Sequence, residues 1–212
     1  MNHLESGTLG EAWLQLVEQT LASGTRMAEE GRELLGVKVS FPAPGDVDPV
    51  LARFGDGRMI EQMEKVFFQE GPNSLGHSYA HLMRGPGNRH DLEDVVALLR
   101  AEPATKRAVV TLCGPGTGAV PCLNVIQFLV RDGTLRTFYF ARGQDVFRKF
   151  YADALCVGKM ACKVAAALGI PTGDVTGFIG SCHVYDRDSN AIHDLLQRAK
   201  AQPAEESIGG RR

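Results

Sequence analysis

The pattern of apolar and polar residues along the chain predicts its helices and strands. Residues 11–23, 58–69 and 91–103 place apolar side chains three and four positions apart, which is the spacing of an amphipathic helix. Asp91 is suited to cap the last of these helices, because its carboxylate can accept hydrogen bonds from the first free N–H groups. Residues 34–41 have the composition of a strand. The first half of the chain is therefore predicted to hold three helices and one strand.

The second half is richer in strand-forming residues. Asp132 and Gly133 separate two apolar runs and predict a tight hairpin turn. A run of small and apolar residues predicts one buried helix. We predict a single α+β domain over residues 1–203 and a disordered tail over residues 204–212. The predicted strands of this half cover residues 106–112, 123–130, 134–141 and 175–185, and the predicted helices cover residues 152–168 and 190–202.

Composition and charge narrow the class of protein. The chain has 212 residues, with 44% hydrophobic and 23% charged residues, and this balance is that of an ordinary globular domain. The formal net charge of -2 gives no reason to expect a nucleic-acid partner. No apolar run approaches the roughly 20 residues that cross a bilayer, and the N-terminus lacks the order of a secretory signal. We therefore expect a cytoplasmic protein whose five cysteines are free thiols.

The spacing of cysteine and histidine residues argues against a metal site. Cys156 and Cys162 are too far apart for a CxxC pair, and Cys182 with His183 offers two potential ligands without a second pair. Free cysteine is among the most buried residue types. Cys113, Cys156 and Cys162 are therefore predicted to be packing residues, and no metal is expected.

Cys122 differs from these cysteines because of the residues that accompany it. It follows a proline at the start of a predicted strand, and residues 142–147, RGQDVF, come one strand later. Residues 182–185, CHVY, follow the buried helix, and residues 75–79, LGHSY, lie upstream. In this order and at these spacings, residues 11–188 resemble thymidylate synthase and its cytidylate hydroxymethylase relatives. The resemblance implies a mixed β-sheet packed by helices, and a homodimer in which two sheets face each other.

The resemblance also implies that Cys122 is a catalytic nucleophile. When a thiolate adds to C6 of a pyrimidine, C5 becomes nucleophilic and can attack a one-carbon unit on a tetrahydrofolate-type cofactor. Cysteine suits this step because its thiolate is both a strong nucleophile and a good leaving group. Tyr79 matches a tyrosine near this cysteine, and Asp145 matches the aspartate that hydrogen-bonds the folate pterin. The expected co-substrate is 5,10-methylenetetrahydrofolate.

Four basic residues match phosphate-binding positions of the family. Arg142 is expected to hold the nucleotide phosphate, helped by Arg26 and by the pair Lys106 and Arg107. A dianionic phosphate requires several convergent donors, which favours a shared role over four unrelated surface charges. In this family the paired basic residues come from the partner subunit. The resemblance therefore implies a homodimer with shared active sites.

The sugar and the base have their own matching residues. His183 and Tyr185 alternate on a predicted strand and so face one side, where the family uses such a pair to bind the sugar hydroxyl. Asp153 stands where thymidylate synthases have a base-reading asparagine and cytidylate hydroxymethylases have aspartate. A carboxyl group can accept from N4 of cytosine and, once protonated, can donate to N3. An alternative is that Asp153 only caps the helix at residues 154–168.

Three further positions depart from the thymidylate synthase pattern. Leu123 replaces the histidine that follows the nucleophile, and Gly143 replaces a phosphate-binding serine. Relatives that act on ribonucleotides also have a small residue at the latter position, so both CMP and dCMP are candidate substrates. The catalytic glutamate of the family falls on Met63, although a shift of one residue would place Glu64 there.

The sequence therefore predicts a folate-dependent transferase acting on a pyrimidine nucleoside monophosphate. The first hypothesis is 5-hydroxymethylation of CMP or dCMP, in which water quenches the final intermediate. Quenching by hydride would instead give a 5-methyl product, as in thymidylate synthase. A nucleotide-binding protein without catalytic activity is the alternative from another class, and Met63 is the residue that motivates it.

Overall fold

The computed structural model describes residues 2–45, 47–73, 76–84, 91–112 and 120–201. The predicted tail and Cys113 lie outside these ranges. No helix within them is long and apolar enough to cross a bilayer.

A seven-stranded mixed sheet forms the centre of the described structure. Its strands are β1 (Asn2–Glu5), β2 (Thr25–Met27), β3 (Gly31–Pro42), β6 (Val109–Thr111), β7 (Leu123–Arg131), β8 (Thr134–Asp145) and β9 (Thr172–Tyr185), while β4 (Pro72–Asn73) and β5 (Gly76–His77) form a separate short hairpin. The order across the sheet is β1-β3-β9-β8-β7-β6, with β2 also pairing with β3. The pairs β1–β3 and β8–β9 are parallel and the other pairs are antiparallel. The predicted α+β class with a mixed sheet is confirmed.

Helices pack on one face of this sheet, with the longest of them at the centre of the core. They are α1 (Leu9–Ser23), α2 (Pro49–Phe54), α3 (Gly57–Phe68), α4 (Tyr79–Arg84), α5 (Leu92–Ala101), α6 (Phe150–Leu168) and α7 (Ser189–Ala201). Helix α6 is buried along most of its length, because small residues let it lie close to β8, β9, α1, α3 and α5. On the opposite sheet face, Phe140 remains 40% exposed.

Local signals located most elements. Asp91 caps α5 as predicted, because its Oδ1 accepts from the backbone N–H groups of Glu93 and Asp94. The predicted turn between β7 and β8 is confirmed: Asp132 and Gly133 have φ values of 51° and 70°, as a type I′ hairpin requires. Cys122 lies between these two elements in the sequence.

Several element boundaries differ from the prediction. Strand β6 is shorter than the predicted 106–112, because the chain before it turns, with the Arg107 N–H donating to Oγ1 of Thr105. Strand β8 continues four residues past the predicted 134–141, so the start of the RGQDVF run belongs to the sheet. Strands β1 and β2 and helices α2 and α4 were not predicted, since each spans too few residues to establish a period.

Candidate active site

Cys122 lies immediately before β7, next to the β7–β8 pair. The Arg142 backbone N–H donates to the Cys122 carbonyl at 2.9 Å, and the pairing begins with Leu123 opposite Ala141. A register shift follows between Leu123 and Val125, and such a bulge re-aims the side chains beside it. The Cys122 side chain is partly exposed. The fold therefore fixes the backbone of Cys122 and leaves its thiol within reach of a substrate.

The Arg142 side chain also holds the chain that leads to Cys122. Its Nε donates to the carbonyls of Val120 and Pro121 at 3.2 and 3.1 Å, and its Nη2 donates to Val120 at 2.8 Å. A guanidinium group has five N–H donors, so these contacts occupy only part of it. Arg142 can thus position the residues before Cys122 and still offer donors and positive charge to an anion.

Tyr79 reaches the same place from the first position of α4. Its ring packs edge-on against Phe67 of α3, with the ring centroids 4.7 Å apart. The Leu123 backbone N–H donates to its hydroxyl oxygen. Burial raises the pKa of Tyr79, and the nearby charges of Asp153 and Cys122 raise it further. Tyr79 therefore keeps its proton, so its hydroxyl can donate a hydrogen bond beside the thiol.

Asp153 lies in the first turn of α6 and is only 5% exposed. Its Oδ2 accepts a hydrogen bond from Nε2 of Gln144 at 2.8 Å. Among the described residues, its Oδ1 is buried without a hydrogen-bond partner. Burial raises the pKa of Asp153, although the charge of Lys149 and the Gln144 hydrogen bond act in the opposite direction. An unpaired buried carboxyl oxygen is costly, so Oδ1 is suited to bind a polar ligand group.

The alternative that Asp153 caps its helix is wrong. Helix α6 begins at Phe150, two residues before the predicted start, and its N-cap is Lys149. Asp153 therefore lies inside the first turn, where its own N–H already donates to the Lys149 carbonyl. Its carboxylate binds the side chain of Gln144, which is not a capping interaction.

Asp145 and His183 are neighbours at the ends of two parallel strands. They pair in the β8–β9 ladder, and the Val146 N–H donates to the His183 carbonyl at 2.9 Å. Oδ1 of Asp145 accepts from the Arg148 N–H at 2.9 Å. Burial raises the pKa of Asp145, while the Arg148 N–H and the charge of His183 lower it. Because a carboxylate can accept several hydrogen bonds, Oδ2 can serve a further donor such as a pterin N–H.

A hydrogen-bonded chain behind His183 orients its ring. Nδ1 of His183 lies 3.2 Å from the carbonyl of Ser181 and 3.3 Å from its Oγ, and that Oγ donates to Oε2 of Glu33 at 2.6 Å. A carbonyl only accepts, so we assign the proton to Nδ1. Nε2 of a neutral His183 is then an acceptor for a hydroxyl group.

Tyr185 lies beside His183 as predicted, with the ring centroids 5.2 Å apart. The Arg187 guanidinium lies 4.2 Å from the Tyr185 ring centroid. Nη1 of Arg26 contacts both carboxylate oxygens of Asp186, at 2.7 and 2.8 Å. Arg26 is thus near the sugar-binding candidates, but an anion would have to share it with Asp186.

The other basic pair lies at the border of the sheet. Lys106 and Arg107 precede β6, and Arg107 forms an ion pair with Glu102 at 2.7 Å. The Lys106 carbonyl accepts from Nε2 of Gln127, a residue on the exposed face of β7. Both residues therefore border the sheet face that the helices leave uncovered.

The two candidates for the family glutamate have different surroundings. Met63 is fully buried in α3, so no carboxylate occupies that position. Glu64 is partly exposed and forms an ion pair with Lys159 of α6. Its charge acts on Cys156, one turn beyond Asp153. Glu64 therefore faces α6, and its catalytic role stays a prediction.

The structure brings Tyr79 near Cys122, Arg142 and Asp153. The N–H of Leu123, the residue after Cys122, donates to the Tyr79 hydroxyl, and the charges of Asp153, Cys122 and Arg142 all act on the pKa of Tyr79. Sequence reasoning missed three supporting residues. Gln144 lies within the RGQDVF run, and Ser181 shares the alternating pattern of His183 and Tyr185, so both could have been found. Glu33 had no local signal, because its contact with Ser181 spans 148 positions.

Comparison with known proteins identifies the family of the chain. The thymidylate synthase family model matches residues 57–209, which is more than half of the chain. The chain therefore belongs to the thymidylate synthase family. It is 23% identical to a protein of Methanothermobacter marburgensis named "Putative thymidylate synthase", covering 89% of this chain and 95% of that protein. Proteins of the same name are 22% identical in Methanothermobacter thermautotrophicus, covering 92% of this chain and 98% of the relative, and in Methanococcoides burtonii, covering 92% and 94%.

Family membership suggests the general chemistry of the chain. A thymidylate synthase-type domain suggests folate-dependent transfer of a one-carbon unit to C5 of a pyrimidine. The family uses methylenetetrahydrofolate as co-substrate and implies a pyrimidine nucleotide as the acceptor.

Proposed function

We propose that this protein is a cytidylate 5-hydroxymethylase, which transfers a one-carbon unit from methylenetetrahydrofolate to C5 of CMP or dCMP. The observation that carries the proposal is Asp153, a buried carboxyl group with a raised pKa and one oxygen unpaired among the described residues. It lies with Tyr79 beside Cys122. A group that reads cytosine must both donate to N3 and accept from N4, which a neutral or shared-proton carboxyl group can do.

The reaction begins with addition of the Cys122 thiolate to C6 of the base. Methylenetetrahydrofolate, held by Asp145, would supply the one-carbon unit that bonds to C5, and the C5 proton would pass to water. Departure of the folate nitrogen with a proton from water would leave an exocyclic methylene group on the base. Water adds to this carbon, the C6–S bond breaks, and Cys122 is regenerated as a thiolate. Because burial keeps Tyr79 protonated, its hydroxyl orders the base or a water molecule and does not act as a strong base.

Asp153 reads the base in this proposal. With its proton on Oδ1, the carboxyl group donates to N3 of cytosine, and Oδ2 accepts from the N4 amino group. The raised pKa of Asp153 supports a carboxyl group that is protonated when the base is bound. Uracil presents N3–H and O4 at the same positions, so its donor and acceptor are both mismatched.

The remaining nucleotide contacts follow the predicted positions. Arg142 binds the phosphate with the guanidinium N–H groups that do not donate to backbone carbonyls. Arg26 also binds the phosphate while it keeps its ion pair with Asp186. Nε2 of His183 accepts a hydrogen bond from a sugar hydroxyl group, and Tyr185 packs beside the His183 ring. Asp145 binds the pterin of the folate through its second oxygen.

A homodimer would complete the site, with Lys106 and Arg107 reaching the phosphate bound by the partner. The uncovered sheet face supports this arrangement. It carries an apolar groove of about 310 Å³, lined mainly by Val109, Val125, Gln127, Phe138, Tyr139, Phe140 and Phe178. Gln127 lines the groove and holds Lys106, which joins the basic pair to that surface.

The experiment that tests the function is product analysis by mass spectrometry. CMP, dCMP and dUMP are each incubated with methylenetetrahydrofolate, using the wild-type protein and a Cys122→Ser control. A gain of one CH₂O unit on a cytidylate supports the proposal, and a gain of CH₂ identifies the hydride-quenched alternative. The buried Met63 favours a nucleotide-binding protein without catalysis as the second candidate. That candidate predicts no release of tritium from 5-tritiated CMP or dCMP.

A further inference from the structure

The hydrogen bond between Gln144 and Asp153 is a buried polar contact between two side chains. Gln144 is 4% exposed and Asp153 is 5% exposed, and Nε2 of Gln144 lies 2.8 Å from Oδ2 of Asp153. Gln144 is held in the β8–β9 ladder opposite Cys182, and Asp153 is held in the first turn of α6. Two rigid elements therefore fix the geometry of this contact.

A neutral carboxyl group alone does not distinguish cytosine from uracil. With the proton on Oδ1 it donates to N3 of cytosine, and with the proton on Oδ2 it donates to O4 of uracil while Oδ1 accepts the N3–H. Moving one proton between two oxygens thus exchanges the two base preferences. Selectivity requires a neighbouring group that decides which oxygen carries the proton.

The Gln144 amide determines which oxygen of Asp153 carries the proton. An NH₂ group only donates, and in a neutral carboxyl group the carbonyl oxygen is a better acceptor than the hydroxyl oxygen. Oδ2 is therefore kept as an acceptor, and the proton of a neutral Asp153 is directed to Oδ1, which has no other partner among the described residues.

We propose that Gln144 is a positioning residue that keeps the Asp153 proton on Oδ1 and thereby makes the site selective for cytosine over uracil. This inference rests on the proposed function, in which Asp153 contacts the base. Gln144 does not touch the base in this scheme. It acts through Asp153 alone.

Two variants change the Gln144 group in different directions. Gln144→Leu removes the donor at similar size, so the proton can occupy either oxygen, and the preference for cytidylate over uridylate falls about tenfold, the loss of one net hydrogen bond. Gln144→Glu brings a second carboxyl group to Oδ2, and the shared proton lies between the two groups. Oδ1 then only accepts, and the preference falls on the order of a hundredfold, because cytosine loses its contact at N3 while uracil gains one at N3–H.

The measurement is the ratio of kcat/KM for CMP and UMP, and for dCMP and dUMP, within one preparation of each variant. Such a ratio does not depend on the fraction of protein that is folded. Dissociation constants for the same nucleotides on a Cys122→Ser background give a second ratio that does not require turnover. Thr20→Val is the matched control. It removes a buried contact between Oγ1 of Thr20 and Sγ of Cys182, 3.5 Å apart, and Cys182 lies opposite Gln144 in the sheet. The control thus perturbs the surroundings of Gln144 without changing its contact with Asp153.

The expected order of the cytidylate preference is wild type and Thr20→Val highest, Gln144→Leu lower and Gln144→Glu lowest. Equal ratios in the wild type and both Gln144 variants would overturn the inference, as would an equal shift in Thr20→Val. Asp153→Asn distinguishes the role of Gln144 from base reading by Asp153. A ratio that changes in Asp153→Asn but not in the Gln144 variants rejects only the role of Gln144, whereas a ratio unchanged in Asp153→Asn rejects base reading by Asp153.

Discussion

Replacing Asp153 with asparagine changes one buried group and tests the basis of the substrate proposal. The substitution keeps the size of the side chain, and the amide has one fixed donor, so it cannot move a proton between two oxygens. With its NH₂ group at the place of Oδ2 and its carbonyl at the place of Oδ1, it matches O4 and N3–H of uracil and mismatches cytosine. The Gln144 amide can turn so that its Oε1 accepts from this NH₂ group, in place of the bond that it now donates to Asp153.

The expected change in base preference follows from the groups that would be mispaired. Each buried polar group left unpaired costs about 1–3 kcal/mol, and the mismatch arises at both N3 and position 4 of the base. We therefore expect the ratio of kcat/KM for cytidylate and uridylate to fall by about tenfold to a few hundredfold in Asp153→Asn. An unchanged ratio would refute the reasoning and leave a pyrimidine transferase of undefined base preference.

The same variant has a signature in stability, which provides a control on folding. Because burial raises the pKa of Asp153 in the folded state, the folded protein binds this proton more tightly than the unfolded chain. Stability contributed by Asp153 is thus lost as pH rises from the unfolded-state pKa through the folded-state pKa. Asparagine does not titrate, so we expect Asp153→Asn to gain thermal stability relative to wild type from acid to neutral pH. The quantity to measure is the difference in thermal stability between Asp153→Asn and wild type at each pH. If this difference moves in favour of the wild type as the pH rises from acid to neutral, the assigned direction of the pKa is wrong.

Three further predictions concern the nucleophile, the dimer and the sugar. Cys122→Ser is expected to lower turnover by several orders of magnitude, measured by tritium release from 5-tritiated nucleotide, while nucleotide binding persists; retention of a tenth of the activity would reject the assignment. Mixed dimers of Cys122→Ser and Arg107→Ala subunits are expected to regain activity, and its absence despite proven subunit exchange would indicate sites within one chain. Gly143→Ser is expected to fold, because a Cβ there meets only His183 Cε1, at 3.7 Å. Its hydroxyl would occupy space beside the sugar and lower the ratio of CMP to dCMP turnover; an unchanged ratio would show that Gly143 does not select the sugar.

The sequence by itself determined the family, the class of fold and most of the regular elements. The family is carried by short motifs, such as the RGQDVF run after Cys122, whose residues stay close together in the chain. Helix α5 and the turn at Asp132 and Gly133 follow from capping and backbone preferences within a few residues. Such features are local, and their physical causes act between neighbours in the sequence.

Only the tertiary structure decided how the side chains of the candidate site are supported. The order of strands across the sheet, the hydrogen bond of Gln144 with Asp153 and the contact of Glu33 with Ser181 depend on pairing between distant segments. It also decided that Asp153 lies inside its helix and not at the cap, because packing against the sheet extends α6 to Phe150. Burial and the availability of a partner are properties of the packed chain, and no period or spacing in the sequence records them.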